Sequence, residues 1–193
     1  MLEKQMIKIP NSEIFGWSAD AWQYVLNRAD LTRELLGKKN LKILEIGASQ
    51  NSACCIYFDR TSSDITIGYR SSKANCALNK KIEQLNSKYK LKSKYRVKEV
   101  NIFSVKGKYD LIIMKSVLGG VVKVYEDQSK LDKLLYQLCK KNLNPKGALI
   151  SIDNGHSKFE SLLKFSRARR KGWRVFKLGE ISFASQQVGF GLL

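Results

Sequence analysis

Leu41-Lys42-Ile43-Leu44-Glu45-Ile46-Gly47-Ala48-Ser49 is the stretch from which the rest of the chain is read. It is short, rich in β-branched and apolar residues, and closed by a glycine, which suits a buried strand running into a tight turn. Upstream, residues 18–37 carry a helical pattern. Ser18 or Asp20 caps it, Gly37 ends it, and Trp22, Val25, Leu26, Ala29 and Leu36 share one face. Downstream, Ile65–Tyr69 reads as a second strand, residues 73–88 as a lysine-rich helix, and Tyr95–Ile102 as a third strand. Tyr109–Met114 is a fourth, nearly all apolar after Asp110. Residues 127–142 form an amphipathic helix with Leu131, Leu134, Leu135 and Leu138 on one face. Asn144-Pro145-Lys146-Gly147 is a turn, Ala148–Ile152 a fifth strand, and a basic helix follows to about Arg170. Trp173–Lys177 and Ser185–Leu193 are further strand candidates.

Strands alternating with helices imply βαβ crossovers and a mainly parallel sheet, so the fold class is α/β with helices on both faces. Residues 1–39 then form a helical segment packing on the core, and residues 40–193 the α/β domain. A chain of 193 residues, 44% hydrophobic and 27% charged, suits one such domain. No apolar run reaches the roughly eighteen residues of a membrane helix, and the N-terminus lacks an export pattern. The chain reads as cytoplasmic. Its four cysteines read as free buried thiols, and a single histidine with no paired C-x-x-C spacing argues against a zinc site. Ligands of a parallel sheet bind beyond the carboxyl ends of its strands, which selects segments 45–52, 69–71, 101–103, 114–120 and 153–156.

At those segments the sequence resembles class I S-adenosylmethionine-dependent methyltransferases. Leu44-Glu45-Ile46-Gly47-Ala48-Ser49 resembles their first motif, an acid ending strand one before a glycine turn. Asn101-Ile102-Phe103 stands where they place a polar side chain against the adenine. Tyr109–Ile113 resembles their fourth-strand motif, and Leu143-Asn144-Pro145-Lys146-Gly147 the turn before strand five. Lys115–Gly120, with Asp153-Asn154 and Trp173-Arg174, resembles a subset linked to bacterial surface-polysaccharide synthesis. The resemblance covers roughly residues 40–175. It implies a Rossmann-like fold and S-adenosylmethionine as cofactor, held by Glu45, Gly47, Ala48, Ser49, Tyr69, Asn101, Ile102 and Met114. Glu45 would support the cofactor's amino group through the loop, with the turn amides orienting the methionine end.

Two departures stand out. Ser49 and Asn51 occupy the second and third glycine places of the turn, and Tyr69-Arg70-Ser71-Ser72 lacks the carboxylate that in this family ends strand two and holds the ribose. A nucleotide dehydrogenase would need glycines where Ser49 and Ser52 stand, and the same acid, so it ranks lower.

His156 and Asp153 are the candidate bases, each against a bland reading as a surface or packing residue. Lys115 is either a solvated lysine or a holder of an anionic acceptor. Gly119-Gly120 is either a flexible turn or a loop that closes over the site. Phe15, Trp17, Trp22 and Tyr24 either line the acceptor pocket or cover the sheet edge. Methyl transfer to an oxygen of a sugar or lipid-linked glycan is the leading function; a catalytically degenerate binding partner and an RNA methyltransferase are the alternatives. The net charge of +18 predicts an anionic partner. For the basic stretch from Arg167 to Lys177, with Trp173 among its charges, a solvated face ranks first, an anionic membrane surface second and nucleic acid lower. The second reading puts the protein at the inner membrane face. Lys80, Lys81, Lys88, Lys90, Lys92 and Lys94 read as solvated.

Overall fold

A computed structural model of the chain describes residues 9–16, 19, 38–122, 128–153, 174 and 176. The apolar run that opens the sequence reading is β1 (Lys42–Ile46), and it is buried because it is the middle strand of five. It pairs in parallel with β2 (Asp64–Tyr69) on one side and β4 (Tyr109–Lys115) on the other. β3 (Lys94–Glu99) lies outside β2, and β5 (Leu143–Ile152) outside β4, again parallel. The order β3-β2-β1-β4-β5 reverses direction between β1 and β4. That junction is the switch point where ligands of such sheets bind.

Both faces of the sheet are covered, as its strands require. On one face Ile43, Ile65, Ile67, Leu111 and Ile113 meet Leu78 and Leu85 of α2 (Ser72–Tyr89). Ile56 and Phe58 of a 3₁₀ helix (Cys54–Thr61) and Ile14 and Phe15 of α1 (Asn11–Phe15) join the same cluster. On the other face Leu44, Ile46, Ile112 and Met114 meet Leu118 of the short α3 (Leu118–Val121). The leucine stripe of α4 (Gln128–Asn142) completes that layer, with Leu131, Leu134, Leu135 and Leu138 all buried. The α/β, mainly parallel, two-faced architecture expected from the sequence is therefore the one present.

Several boundaries differ from expectation. β3 stops at Glu99, not Ile102. The Asn101 carboxamide oxygen accepts the Phe103 N–H at 3.0 Å and turns the chain into a 3₁₀ turn, Ile102–Ser104. β5 starts at Leu143, so the Asn144–Gly147 turn lies inside the strand as a bulge. Pairing slips there from Tyr109↔Leu143 to Leu111↔Ala148. The Asp110 carboxylate fixes it, accepting from the Asn144 amide at 2.9 Å and the Lys42 N–H at 2.8 Å. Cys54, Cys55 and Cys139 are buried thiols, but Cys76 is exposed on α2. No helix among the described residues is long and apolar enough to cross a membrane. The basic helix to Arg170 and the strand at 185–193 lie outside the described residues, as do all of the helix expected at 18–37 except Ala19 and all of 173–177 except Arg174 and Phe176.

One position in the sheet allows no side chain. A Cβ on Gly68 would sit 2.6 Å from the Glu45 carbonyl oxygen and 2.8 Å from Val100 Cβ. Gly68→Ala should therefore cost about 1–3 kcal/mol, as overpacking does. Urea denaturation reads this, and an unchanged midpoint would mean the strands separate freely there.

Candidate active site

The carboxyl ends of β1, β2 and β4 and the residues after them form the edge where a ligand would sit. Gly47 leaves β1 with φ of 82°, a conformation natural only to glycine. A side chain there would also strike Val117, 2.5 Å from a Cβ. The N–H groups of Gly47 and Ala48 both donate to the Gly68 carbonyl, at 2.9 Å each. Ser49 and Ser52 exchange backbone bonds at 3.1 and 3.0 Å, closing a two-residue turn over Gln50 and Asn51. The first three amides of the turn are thus satisfied within the protein.

Glu45 lies beneath this turn, 1% exposed. One carboxylate oxygen accepts the Cys55 N–H at 2.8 Å, so the acid braces the backbone ten residues downstream. Burial raises its pKa, and the bonds from Cys55 pull the other way. Cys54 and Cys55 are held as neutral thiols by the same burial. Neither is poised as a nucleophile.

Lys115, Ser116 and Asp153 come together where β4 and β5 end side by side, with Lys115 opposite Ile152. Lys115 is buried, and its ammonium donates to the Phe15 carbonyl. This overturns the solvated reading of that lysine and ties α1 to the tip of β4. Burial lowers its pKa. Asp153 accepts from the Gly119 N–H at 3.1 Å and the Ser151 hydroxyl at 2.8 Å, and burial raises its carboxyl. Its bond to Gly119 positions the short α3. That helix is held from the far side too: Arg174 N–H donates to the Gly119 carbonyl at 2.8 Å, and a Cβ on Gly119 would lie 2.3 Å from the Arg174 oxygen. Gly119 and Gly120 thus belong to a helix, where a flexible turn or a closing loop was expected. His156, Asn154, Trp17, Trp22, Tyr24 and Trp173 lie outside the described residues.

Of the remaining sequence-derived site residues, Ala48, Tyr69, Ile102 and Met114 are buried in the two cores, as is Phe15. Met114, fully enclosed on the α4 face, can offer the edge only its backbone. Gly47, Ser49, Arg70, Ser71 and Asn101 are exposed along the edge. Sequence reasoning missed two groups. Ser116 has φ of 54°, and its hydroxyl is buried with no hydrogen-bond partner among the described residues. A short polar residue directly after an apolar strand was the available signal. Glu99 is exposed opposite Tyr69 in the β2–β3 register, so a carboxylate stands one strand away from its expected place. The extension of strand three to Ile102 had hidden it.

No family model and no curated protein matches the chain. Solved structures do. Magnesium protoporphyrin IX methyltransferase from Synechocystis PCC 6803, with bound SAH, superposes with a TM-score of 0.61 at 15% identity, over 90% of this chain and 72% of that one. The fold is that of the class I S-adenosylmethionine-dependent methyltransferases. A putative sarcosine dimethylglycine methyltransferase from Galdieria sulphuraria gives 0.60 at 18% identity, over 88% of this chain and 61% of its own. An O-methyltransferase family protein from Burkholderia thailandensis gives 0.63 at 13%, over 89% and 50%. The chain thus spans less than two thirds of the latter two.

The buried Glu45 makes a pH signature. A carboxyl raised in the folded state stabilises the fold fully below its unfolded-state value and loses that contribution as pH rises through the folded value. Glu45→Gln should therefore gain stability relative to the native chain between acid and neutral pH, read by urea denaturation across that range. A difference that stays flat would mean Glu45 does not titrate differently on folding.

Proposed function

We propose that the protein is an S-adenosylmethionine-dependent methyltransferase acting on an oxygen of a sugar or polysaccharide acceptor. The observation that carries the first half is the exposed, left-handed Gly47 at the switch point of a β3-β2-β1-β4-β5 parallel sheet. This is the fold of structures crystallised with bound SAM or SAH. The residues on the edge fit that cofactor in kind. Arg70 and Ser71 follow β2 and suit the ribose hydroxyls, with Glu99 beside them. Asn101, whose oxygen caps its own turn, presents its NH₂ group for the adenine. The orphaned Ser116 hydroxyl lies where β4 ends, a buried polar group that a ligand can satisfy.

The cofactor, when bound, supplies a methyl group already activated on a sulfonium. The chain must align an acceptor hydroxyl with it and take up the proton. Alignment provides much of the acceleration, and a base adds about 10²–10⁴-fold. Lys115 and Asp153 shape the acceptor side by holding α1 and α3. His156 remains the proposed base.

The acceptor rests on the resemblance of Lys115–Gly120 and Asp153-Asn154 to the polysaccharide-linked subset. The fold does not choose it: similar structures are named for acceptors as different as a magnesium porphyrin and geranyl diphosphate. Attachment to the inner membrane face, through the +18 charge, belongs to the same proposal. A second reading, a catalytically degenerate partner of a biosynthetic enzyme, is favoured by the inward-turned amides and the missing carboxylate on β2.

Calorimetric titration with S-adenosylhomocysteine separates the two. Saturable binding, tightened roughly tenfold by Ser71→Asp as a ribose acceptor is restored, supports the enzyme. Methyl transfer from labelled S-adenosylmethionine to a glycan then identifies the acceptor class. Absence of binding in both proteins supports the degenerate reading, and selective transfer to RNA would overturn the sugar assignment.

A further inference from the structure

The lysines of α2 read from sequence as a solvated face, but three of them line a groove of about 630 Å³ between α2, α1 and the Gln50-Asn51 turn. The crossover from β1 to β2 is an eight-residue 3₁₀ helix. That helix packs against β1, β4 and α1. The groove itself opens between α1 and α2.

The lining has a definite chemistry. Lys88 is already engaged: its ammonium meets the Glu13 carboxylate at 2.8 Å, and the Tyr89 hydroxyl donates to the same oxygen at 2.7 Å. That cluster fixes one wall and neutralises itself. Lys80 and Lys81 are left as the net charge of the groove. Lys81 is half-buried and makes no hydrogen bond or ion pair among the described residues. Its burial lowers its pKa, while the deeper Glu45 acts to hold the charge in place. A half-buried ammonium without a partner is unfavourable, and an incoming anion relieves it. Around it stand neutral polar groups, from Ser12, Gln50, Asn51 and Gln84, able to hydrogen-bond hydroxyls. The volume lies within the roughly 300–1,000 Å³ typical of small-molecule sites.

We propose that this groove is a binding site for a phosphomonoester of sugar size, with Lys81 and Lys80 on the phosphate and the Ser12, Gln50, Asn51 and Gln84 side chains on the hydroxyls. It adjoins the methyl-transfer edge at the Gln50-Asn51 turn, but its walls are α1 and α2, and binding is measured without any cofactor. Failure here therefore leaves the methyltransferase reading untouched, and the reverse holds too.

Calorimetric titration at physiological salt with a hexose 1-phosphate, inorganic phosphate and the free hexose tests it. The hexose phosphate should bind one per chain, inorganic phosphate more weakly and the free hexose not measurably. Lys81→Gln should weaken binding by roughly tenfold or more, as loss of a charge-assisted bond does. Lys94→Gln, the same charge change at an exposed site on β3, should leave it unchanged. Circular dichroism checks folding. If Lys81→Gln does not fold, Gln84→Glu, exposed on the rim, puts a negative charge in the groove and must weaken binding likewise. Equal losses from the Lys81 and Lys94 substitutions, or no saturable binding of any phosphate, would overturn the site. So would attraction confined to RNA or anionic vesicles and abolished by salt.

Discussion

A carboxylate buried to 1% exposure under the middle of a sheet is the constraint around which this fold is arranged. Glu45 sits between Ile67 and Ile113 in the strand register, where an uncompensated charge is strongly disfavoured. The Cys55 N–H compensates it in part, and that bond fixes where the backbone lies ten residues later. Between those two points the chain has room only for the Gly47 corner, the Ser49–Ser52 turn and the entry to a 3₁₀ helix. The corner is sewn to β2 through the Gly68 carbonyl, which works because Gly68 has no side chain to hold β1 and Val100 apart. The turn after β1 is thereby tied to the 3₁₀ helix through Glu45 and to β2 through Gly68.

The inner strands β1, β2 and β4 were legible in the sequence because they are short and largely apolar, with Gly47 closing the first. The α4 stripe was legible because leucines at helical spacing have no better place than a core. Side-chain bonds that redirect the backbone were not legible. Asn101 capping Phe103 ended β3 early, and Asp110 holding Asn144 drew a turn into β5. Neither leaves a trace in hydrophobic periodicity. The site was legible as a place and less so as a set of groups. Position along the strands pointed to Glu45, Gly47, Lys115 and Asp153, and the structure sets all four at or beneath the edge. It could not tell Tyr69 and Met114 in the core from Ser71 and Ser116 at the rim, because exposure depends on which face each strand turns inward.

The charge is also less uniform than its total implies. Lys42 lies over the Tyr109 ring at 5.2 Å, Lys88 is paired to Glu13, and Lys115 is an interior hydrogen-bond donor. Asp59 draws the Lys92 and Ser93 N–H groups and the Tyr95 hydroxyl onto one carboxylate. Lysine side chains here thus double as local structural parts while keeping their charge.

The bond from Lys115 to the Phe15 carbonyl joins residues 100 positions apart. During synthesis α1 leaves the ribosome first, yet the strand tip that receives it is made long afterwards. At about 5–20 residues per second the Phe15 carbonyl waits several seconds for that strand tip, while the 3₁₀ helix Cys54–Thr61, made much sooner, already offers Ile14 and Phe15 a surface. The bond itself closes a loop of 100 residues, so it forms late on the folding route and locks in place a helix that has already met its nearer partner.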